Sequence, residues 1–300
     1  FGINNRWGTF YGVGLAWTVS KESFMSSIPA VSNLRLRSSY GKTGNDNIPA
    51  FLTSSNVWKG TGNNIVYSFG DDLTFATGSI VNSIPNPDLK WEETNQFDIG
   101  FDLGLLKDRI DFTFDYYSRS NKDLLIETQL PLTTGLGNPG SVGTQWINAA
   151  SMENSGFEAA LTYRSNPAGE FRWDISLNTT YSVNEVTALG TVGDLPISKG
   201  EFMTGVGNAT RTDIGHPLGS YFGYVYDHVV KDQADLDKLN SAASAATGGT
   251  VTEYQTNAKP GDRVWKDVDG KGYINADDRT YIGNPSPKWQ YGIVFNSFFK

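Results

Sequence analysis

Residues 97–117 read FDIGFDLGLLKDRIDFTFDYY, and this stretch decides the fold. Large apolar side chains alternate with aspartates and glycines up to Leu103, and the alternation resumes in the other phase from Ile110. Period two is the repeat of a β-strand, in which successive side chains point to opposite faces. The phase change at GLLKDR therefore predicts a turn between two antiparallel strands, with rings on one face of the hairpin and carboxylates on the other.

The same alternation recurs along the chain. It is visible in RWGTFYGVGLAWTVS, SNLRLRSSYG, GFEAALTYR, FRWDISLNTTYS and KWQYGIVFNSFF. In the first of these, Trp7 and Trp17 share a face, and their separation corresponds to roughly 25 Å along the axis of a tilted barrel. That is the height of the apolar band of an outer-membrane barrel. We therefore predict an all-β chain that forms a segment of a transmembrane antiparallel β-barrel.

Each strand assigns its side chains to two environments. On the barrel interpretation, the polar side chains face a wet lumen and the bulky ones face lipid. The predicted lumen-facing residues are Arg35, Arg37, Asp98, Asp102, Asp111, Asp115, Glu158, Arg164 and Asp174. The predicted lipid-facing girdle consists of Trp7, Trp17, Phe97, Phe101, Phe112, Phe114, Trp173, Tyr181 and Trp289.

The connections are of two lengths, short at LLKDR and SNPAGE and long elsewhere. Outer-membrane barrels have short turns on the periplasmic side and long loops outside. The segments predicted to be mainly extracellular loops are 42–90, 121–152 and 228–287. Helix formers concentrate in Lys231–Ala246, which predicts one helical insertion. Loop rings that are candidates for contacts with a ligand or a lid, with ordinary packing as the alternative, are Trp58, Tyr67 and Trp146.

Composition excludes several classes of function. The chain has 24 Lys and Arg against 32 Asp and Glu, a net charge of −8, whereas nucleic-acid binding needs a basic surface. It has no cysteine, which excludes thiolate zinc sites, a cysteine nucleophile and disulfides. Two histidines are too few for a catalytic or metal cluster, and no carboxylate pair has the arrangement that a glycosidase needs. We predict no enzymatic activity.

A water-soluble β-sandwich is the alternative fold, because it also alternates apolar and polar residues. On that interpretation the bulky faces form a core, and the protein is a secreted carbohydrate-binding protein or an adhesin. The spacing of the tryptophans, the two loop lengths and the rings at strand ends favour the barrel.

The stretch DVDGKGYINADD, residues 267–278, has the spacing of a calcium-binding loop of the EF-hand type. Asp267, Asp269 and Asp278 take positions 1, 3 and 12, and Gly272 takes the turn position. Lys271 stands at position 5, where an oxygen ligand is expected. The sequence therefore leaves two alternatives open, a structural calcium site or a polar turn in which the lysine partly replaces the ion. No other cofactor is expected.

Four longer stretches carry a resemblance to a known family. They are NPDLKWEETNQFDIGFD, NAASMENSGFEAALTYR, IGHPLGSYFGYV and PGDRVWKDVDGKGYINADDRTYIGNPSPKWQYGIVF. In this order they resemble the SusC/RagA family of TonB-dependent outer-membrane transporters of Bacteroidetes. The family's calcium-type loop usually has an acid where this chain has Lys271.

The resemblance implies a large plugged barrel of the 22-stranded type. Residues 1–300 would be a middle-to-late part of that one barrel domain, without the N-terminal plug, the TonB box and the closing strands. The implied location is the outer membrane of a Gram-negative bacterium. The implied function is energy-coupled import of an oligomeric nutrient, a glycan or a peptide, with a SusD-like lipoprotein as lid and the TonB complex as energy source.

The resemblance also bears on the charged residues. We expect the carboxylates on the polar face to be solvated or to meet the plug, without ion-pair partners on the strands. Arg35 and Arg37 would then pair with plug carboxylates more readily than with substrate.

Overall fold

The computed structural model describes residue 2 and residues 4–47, 52–54, 57–60, 66–69, 74–81, 83–136, 143–166, 168–190, 196–201 and 208–299. The chain divides into two compact units, Phe1–Leu195 with Pro287–Lys300, and Pro196–Ser286. In chain order the elements are β1 (Tyr11–Thr18), β2 (Val31–Asn45), β3 (Val57–Lys59), β4 (Val66–Phe69), β5 (Thr74–Thr77), β6 (Ser79–Val81), β7 (Glu92–Leu105), β8 (Ile110–Gln129), β9 (Thr144–Arg164), β10 (Phe171–Ala188), β11 (Ile197–Glu201), β12 (Asn208–Thr212), β13 (Ser220–Gly223), β14 (Tyr226–Val229), α1 (Gln233–Ala246), β15 (Arg263–Trp265), β16 (Thr280–Gly283) and β17 (Trp289–Phe299).

A seven-stranded sheet is the main feature of the first unit. Its strand order is β1-β2-β7-β8-β9-β10-β17, and every neighbouring pair is antiparallel. The order follows the chain except at two places, where β3 to β6 and the second unit are inserted. β3 pairs with β6, and β4 pairs with β5, in two small ribbons. The predicted all-β architecture of consecutive antiparallel strands is confirmed.

The turn predicted at GLLKDR joins β7 to β8. Leu105 pairs with Ile110, and the backbone N–H of Arg109 donates to the Leu105 carbonyl at 3.0 Å. Leu106, Lys107 and Asp108 all have φ near +60°, a left-handed conformation that costs roughly 1–2 kcal/mol for each non-glycine residue. Long flanking strands hold this turn in place, since 13 residue pairs join β7 and β8.

Two strand boundaries differ from the prediction. β1 begins at Tyr11, so Trp7 lies before the paired strand, and its side chain is 94% exposed. The predicted strand therefore starts too early, since the run from Gly8 to Phe10 continues the alternation outside β1. The assignment of Trp7 to the lipid-facing girdle stays a prediction.

The segment 121–152, predicted to be mainly loop, is strand at both ends. β8 continues to Gln129 and β9 starts at Thr144. A bulge between Asn121 and Leu124 shifts the register, and Asp123 there has φ +58°. A bulge inserts an extra residue and so reverses the side-chain phase. That reversal hides the strand from an analysis based on period two.

The second unit is a smaller assembly of short strands and one helix. β11, β12, β13 and β16 form a four-stranded sheet, and β14 pairs with β15. Helix α1 confirms the predicted insertion, and the Asp232 side chain caps it by accepting the N–H of Asp235 at 2.9 Å. The hydrophobic core of the second unit consists of Val230, Leu236 and Val264, and the partly buried Leu239, Tyr254 and Ala258 pack against it. The unit begins at Pro196, well before residue 228, where the predicted extracellular loop 228–287 starts.

Within the described segments, no helix combines the length and the apolar content that a membrane-crossing helix needs.

Candidate functional site

The polar face of the seven-stranded sheet collects every residue that was predicted to face the lumen. Residues paired across an antiparallel sheet share a face, and the register is known for all six strand pairs. On this criterion one face carries Arg35, Arg37, Asp98, Asp102, Asp111, Asp115, Glu158, Arg164 and Asp174. The common face is an observation, and its orientation toward a lumen stays a prediction.

The opposite face carries the predicted girdle apart from Trp7. The register places on it Trp17, Phe97, Phe101, Phe112, Phe114, Trp173, Tyr181 and Trp289. Apolar side chains of this face are exposed on inner strands too: Ile99 of β7 is 49% exposed, Leu36 of β2 42% and Leu177 of β10 39%. The sheet therefore presents a broad apolar surface, and a large contiguous surface of this kind marks a site of contact with a partner or a membrane.

Rings on the apolar face contact one another from strand to strand. The centroid of Phe114 lies 5.9 Å from that of Phe101 and 5.9 Å from that of Phe157. Phe157 lies 5.7 Å from Tyr181, which lies 4.7 Å from Trp289. Such pairs add about 0.5–1.5 kcal/mol each beyond the area they bury. A continuous row of rings thus crosses five strands, from β7 to β17.

Arg37 is the charge centre of the polar face. Its Nε lies 3.1 Å from an oxygen of Asp102, and its terminal nitrogen lies 3.0 Å from an oxygen of Asp115. Asp102 belongs to the neighbouring strand β7, whereas Asp115 belongs to β8, one strand further away. The guanidinium therefore ties three strands together with donors held in a fixed fork.

Gly100 makes this bridge across three strands possible. It stands in the register between Arg37 on one side and Asp115 on the other. A Cβ at position 100 would lie 2.0 Å from Oδ1 of Asp115, so the missing side chain is the space that the carboxylate occupies. Asp115 is also the direct partner of Glu158, and like charges placed opposite each other are unfavourable. Arg37 offsets that repulsion.

Other carboxylates of the polar face have partners as well. Asp111 forms an ion pair with Arg164. Asp98 accepts from Gln96 Nε2 at 2.9 Å and from the Ser39 hydroxyl at 3.1 Å. The expectation that these carboxylates have no partners on the strands is therefore wrong. The strand parity identified the charges, but only the cross-strand register shows which of them meet.

Asp174 also has a partner on a neighbouring strand, since its carboxylate accepts a hydrogen bond from Asn296 Nδ2 of β17 at 2.8 Å. Arg37 pairs with two carboxylates of the sheet itself, and whether it also meets the plug stays a prediction. Beside it lies a shallow depression, lined by Gly14, Ala16, Arg35, Ser39 and Gly100 among others. Small residues of β1 thus leave the charge centre accessible from the polar side.

The motif NPDLKWEETN forms a strap that fixes the far end of the sheet, a role that sequence reasoning missed. Leu89 is fully buried. Asn86 accepts the N–H of Asp88 at 3.0 Å and donates to the Trp146 carbonyl at 2.9 Å. Asn148 of β9 accepts the backbone N–H of Lys90 at 2.9 Å and donates to its carbonyl at 2.7 Å. The Asn86-Pro87 pair of the motif was the available signal for such a strap.

The rings proposed for ligand or lid contacts lie in different settings. Trp146 is part of strand β9, and its side chain is half-buried. Tyr67 lies in β4 and is 69% exposed. The side chain of Trp58 lies outside the described residues. A role in ligand or lid contact stays a prediction for all three.

The second unit contains a polar and aromatic cluster that the sequence did not reveal. Phe222 is flanked by the guanidinium groups of Arg211 and Arg279, at 4.6 and 5.2 Å from its centroid. The ring of His216 stacks on Tyr281 with centroids 3.6 Å apart, and the Tyr281 hydroxyl donates to Asp213 at 2.8 Å. These contacts join β12, β13 and β16.

Two titrating groups of this cluster are perturbed. Burial, followed by the bond to Asp213, raises the pKa of the Tyr281 hydroxyl to about 12. Burial acts to raise the pKa of Asp213, but the bonds from Tyr281 and Ile214 and the charge of Arg211 outweigh it, so that pKa is lowered. Asp213 is thus held ionised and Tyr281 neutral, which suits a structural cluster rather than proton transfer.

The three predicted calcium ligands come together in the second unit. Asp267, Asp269 and Asp278 each place one carboxylate oxygen within 4.8 Å of those of the other two. The ammonium nitrogen of Lys271 lies 2.9 Å from Asp269, one of the three, and 2.6 Å from Asp277. Asp278 is fully buried. The acidic loop is therefore folded, and a side-chain cation is part of it.

A sheet of long antiparallel strands, with one broad apolar face and one polar face, defines the wall of a membrane β-barrel. The comparisons with known proteins agree with this class. The model of the family described as TonB dependent receptor-like, beta-barrel, matches residues 1–296. The chain therefore belongs to the TonB-dependent receptor β-barrel family.

Named relatives extend this result. The chain is 29% identical to TonB-dependent receptor P3 of Formosa agariphila over 98% of its length, and 29% identical to TonB-dependent receptor SusC of Bacteroides thetaiotaomicron over its whole length. It spans 27% of the length of each of these relatives. The resemblance to SusC and its Bacteroidetes relatives is confirmed. Proteins of this family are TonB-dependent receptors and transporters, not enzymes.

Solved structures show the same fold. The RagAB peptide importer in its open-open state superposes with a TM-score of 0.72 and 25% identity, covering the whole of this chain and 28% of the matched one. The closed-closed state gives a TM-score of 0.70. The β-sandwich alternative is therefore wrong. That the exposed rings face lipid stays a prediction.

Proposed function

We propose that the chain forms part of the wall of an outer-membrane transporter that imports an oligomeric nutrient, a glycan or a peptide, with energy supplied through TonB. The observation that carries the proposal is the separation of rings and charges on two faces of one sheet, in a chain of the TonB-dependent receptor family. Such a separation is stable where one side meets lipid and the other meets water.

The partners follow from the same relatives. We infer a SusD-like surface lipoprotein that closes over the outer loops, because one relative bears the name SusC and the matched structures are of an assembly named RagAB. We infer peptides or glycans as cargo, and peptides are supported by the similarity to RagAB, which is a peptide importer. The loop rings Trp58, Tyr67 and Trp146 would then contact ligand or lid.

Two adjacent residues of β10 test the orientation of the sheet. Ile175 lies on the apolar face and Ser176 on the polar face, where its hydroxyl lies 2.9 Å from that of Thr162. The chain has no cysteine of its own, so Ile175→Cys and Ser176→Cys in a cysteine-free full-length protein give clean labels. In intact outer membranes, a small charged thiol reagent should modify the cysteine at 176 and spare the cysteine at 175. Modification of both at equal rates would contradict the barrel wall.

The partners are tested separately, by purifying the full-length protein from outer membranes in mild detergent. Mass spectrometry of the eluate should find a SusD-like lipoprotein in a stoichiometric amount. If the cysteine labels of β10 behave as expected but the protein is recovered alone, the proposal of a barrel wall stands and the proposal of a SusD-like lid is refuted. Recovery in the soluble fraction would refute both.

A further inference from the structure

We infer that the ammonium group of Lys271 is the resident cation of the acidic loop 267–278, which is therefore closed without calcium. The inference concerns the second unit alone and does not rest on the proposed transport function. It is carried by contacts of three kinds: those of the lysine, those that occupy the carboxylates, and those that hold the loop in shape.

The lysine takes the place where a calcium loop needs an oxygen. Calcium takes six to eight oxygen ligands, and position 5 of an EF-hand loop supplies one of them. Lys271 occupies that position and instead donates from Nζ to Asp269 at 2.9 Å and to Asp277 at 2.6 Å. A positive charge therefore already lies against Asp269, one of the three candidate ligands, and it would repel a divalent cation bound to that carboxylate.

The buried ligand candidate Asp278 has little coordinating capacity left. Oδ1 accepts the N–H groups of Val268 at 2.8 Å and Asp269 at 3.2 Å, and Oδ2 accepts that of Asn275 at 2.7 Å. A carboxylate offers about four lone pairs, so only about one remains. Asp278 works as a backbone anchor and cannot bind an ion with both oxygens as the twelfth residue of an EF-hand loop does.

Asp269 is occupied in the same way. Oδ1 accepts the N–H of Lys271 at 3.0 Å, and Oδ2 accepts the Asn275 amide at 3.0 Å together with the lysine ammonium. The bond to Lys271, followed by the bond to Asn275, lowers the pKa of Asp269 to about 2. The same two aspartates that Lys271 contacts raise its own pKa. Both partners are charged at every physiological pH.

The rest of the unit holds the loop in this shape. The hydroxyl of Tyr254 donates to the Trp265 carbonyl at 3.0 Å and accepts the N–H of Asp267 at 3.2 Å. Gly272 has φ +87°, and a Cβ there would lie 2.5 Å from Cβ of Ala246 at the end of α1. The loop is thus fixed at its start and its middle by protein contacts, a role that a bound ion fills in a calcium loop.

The first test uses the full-length protein in mild detergent, with Asp269→Asn as its control variant. The unfolding temperature of the second unit, monitored by hydrogen exchange of its amides, should be the same in about 1 mM calcium and in excess chelator. Weak extracellular calcium sites fill at about that calcium concentration. A calcium-dependent rise in the unfolding temperature that disappears in Asp269→Asn would overturn the inference.

The second test converts the loop. Lys271→Asp replaces the ammonium with an oxygen ligand, and we expect it to unfold at lower temperature in chelator and to recover with a saturable calcium dependence. Lys271→Asn tests the same point should the acidic variant not fold. Lys271→Met removes the charge without adding an oxygen, so it should lose stability and not recover with calcium. Wild-type stability in Lys271→Met would overturn the inference, because the ammonium would then be dispensable.

Discussion

The seven-stranded sheet and the second unit place their apolar side chains in opposite ways. On the sheet, Ile99 of the inner strand β7 is 49% exposed, and Leu36 of the inner strand β2 is 42% exposed. In the second unit, Val230 and Val264 are 1% exposed and pack with Leu236. A single chain therefore carries one region whose apolar surface needs a surrounding solvent of low polarity, and one region that buries its apolar groups from water.

The two regions also differ in how they hold charges. On the sheet, Arg37 pairs with carboxylates that lie 65 and 78 residues away in the chain. In the second unit, Lys271 pairs with aspartates two and six residues away. The sheet thus depends on register for its electrostatics, whereas the acidic loop is a local structure. Mutations should separate these two kinds of construction.

The largest effect is expected in the core of the second unit. Leu236→Ala removes a buried side chain from a small cluster and should cost about 2–5 kcal/mol. Hydrogen exchange should accelerate across Pro196–Ser286 and stay unchanged in the sheet. Lys238→Ala, on an exposed position of the same helix, serves as the control and should cost less than about 0.5 kcal/mol. Equal acceleration in both units would show that they do not unfold separately.

The next effect tests which solvent the apolar face meets. Phe114→Arg places a charge on that face and should lower the free energy of unfolding in lipid vesicles by about 2–4 kcal/mol near the midplane. Thr113→Arg, one residue earlier in β8, points to the polar face beside Asp102 and should cost less than about 1 kcal/mol. Urea titrations of the two variants measure the difference. A reversed order would mean that water bathes the apolar face.

A smaller effect is expected where register controls the charges. In Gly100→Ala, the new Cβ would meet Asp115 Oδ1 at 2.0 Å and the Phe114 carbonyl at 2.5 Å, so Asp115 must leave Arg37. Such overpacking costs about 1–3 kcal/mol. In Gly12→Ala, on the same face, the nearest atom is 4.0 Å away, and we expect little change. If the two variants unfold at the same urea concentration, the bridge across three strands contributes nothing.

The smallest effect is the response of the acidic loop to acid. Because the pKa of Asp269 is lowered to about 2 by Lys271 and Asn275, its stabilising contribution is present above its unfolded pKa of about 4 and is lost as the pH falls toward 2. Amide exchange in residues 267–278, corrected for its intrinsic pH dependence, should accelerate over that interval. The variant Asp269→Asn should lack this step, and an identical profile in both proteins would refute the assignment.

The sequence predicted most of the sheet, because period two is a local property. It placed Phe101 and Asp102 on opposite faces, located the turn after Leu105, and predicted helix α1. Local alternation placed the start of the first strand too early, since β1 begins at Tyr11 and no strand of the described residues pairs with the run before it. Alternation shows that a segment can pair, and pairing itself depends on residues elsewhere in the chain.

The charge network was beyond prediction for the same reason. The bridge from Arg37 to Asp115 needs three strands in one register and the missing side chain of Gly100. None of these conditions can be read from the residues near Arg37. In the acidic loop, by contrast, the spacing alone predicted that the three aspartates lie close together. Lys271, the one position that departs from the calcium-loop pattern, was the informative one.

The topology of the second unit has a consequence for how the chain folds. About 100 residues separate β10 from β17, its neighbour in the sheet. In the four-stranded sheet of the second unit, β11 and β16 are the outer strands, so the unit holds its two ends within roughly 14 Å, three strand spacings. Once the unit has formed, only about 13 connecting residues, 189–196 and 284–288, remain to be closed. The free-energy cost of loop closure then falls by about 2 kcal/mol. Pairing β10 with β17 then costs about as much entropy as closing a loop of 13 residues, although the two strands are distant in the sequence.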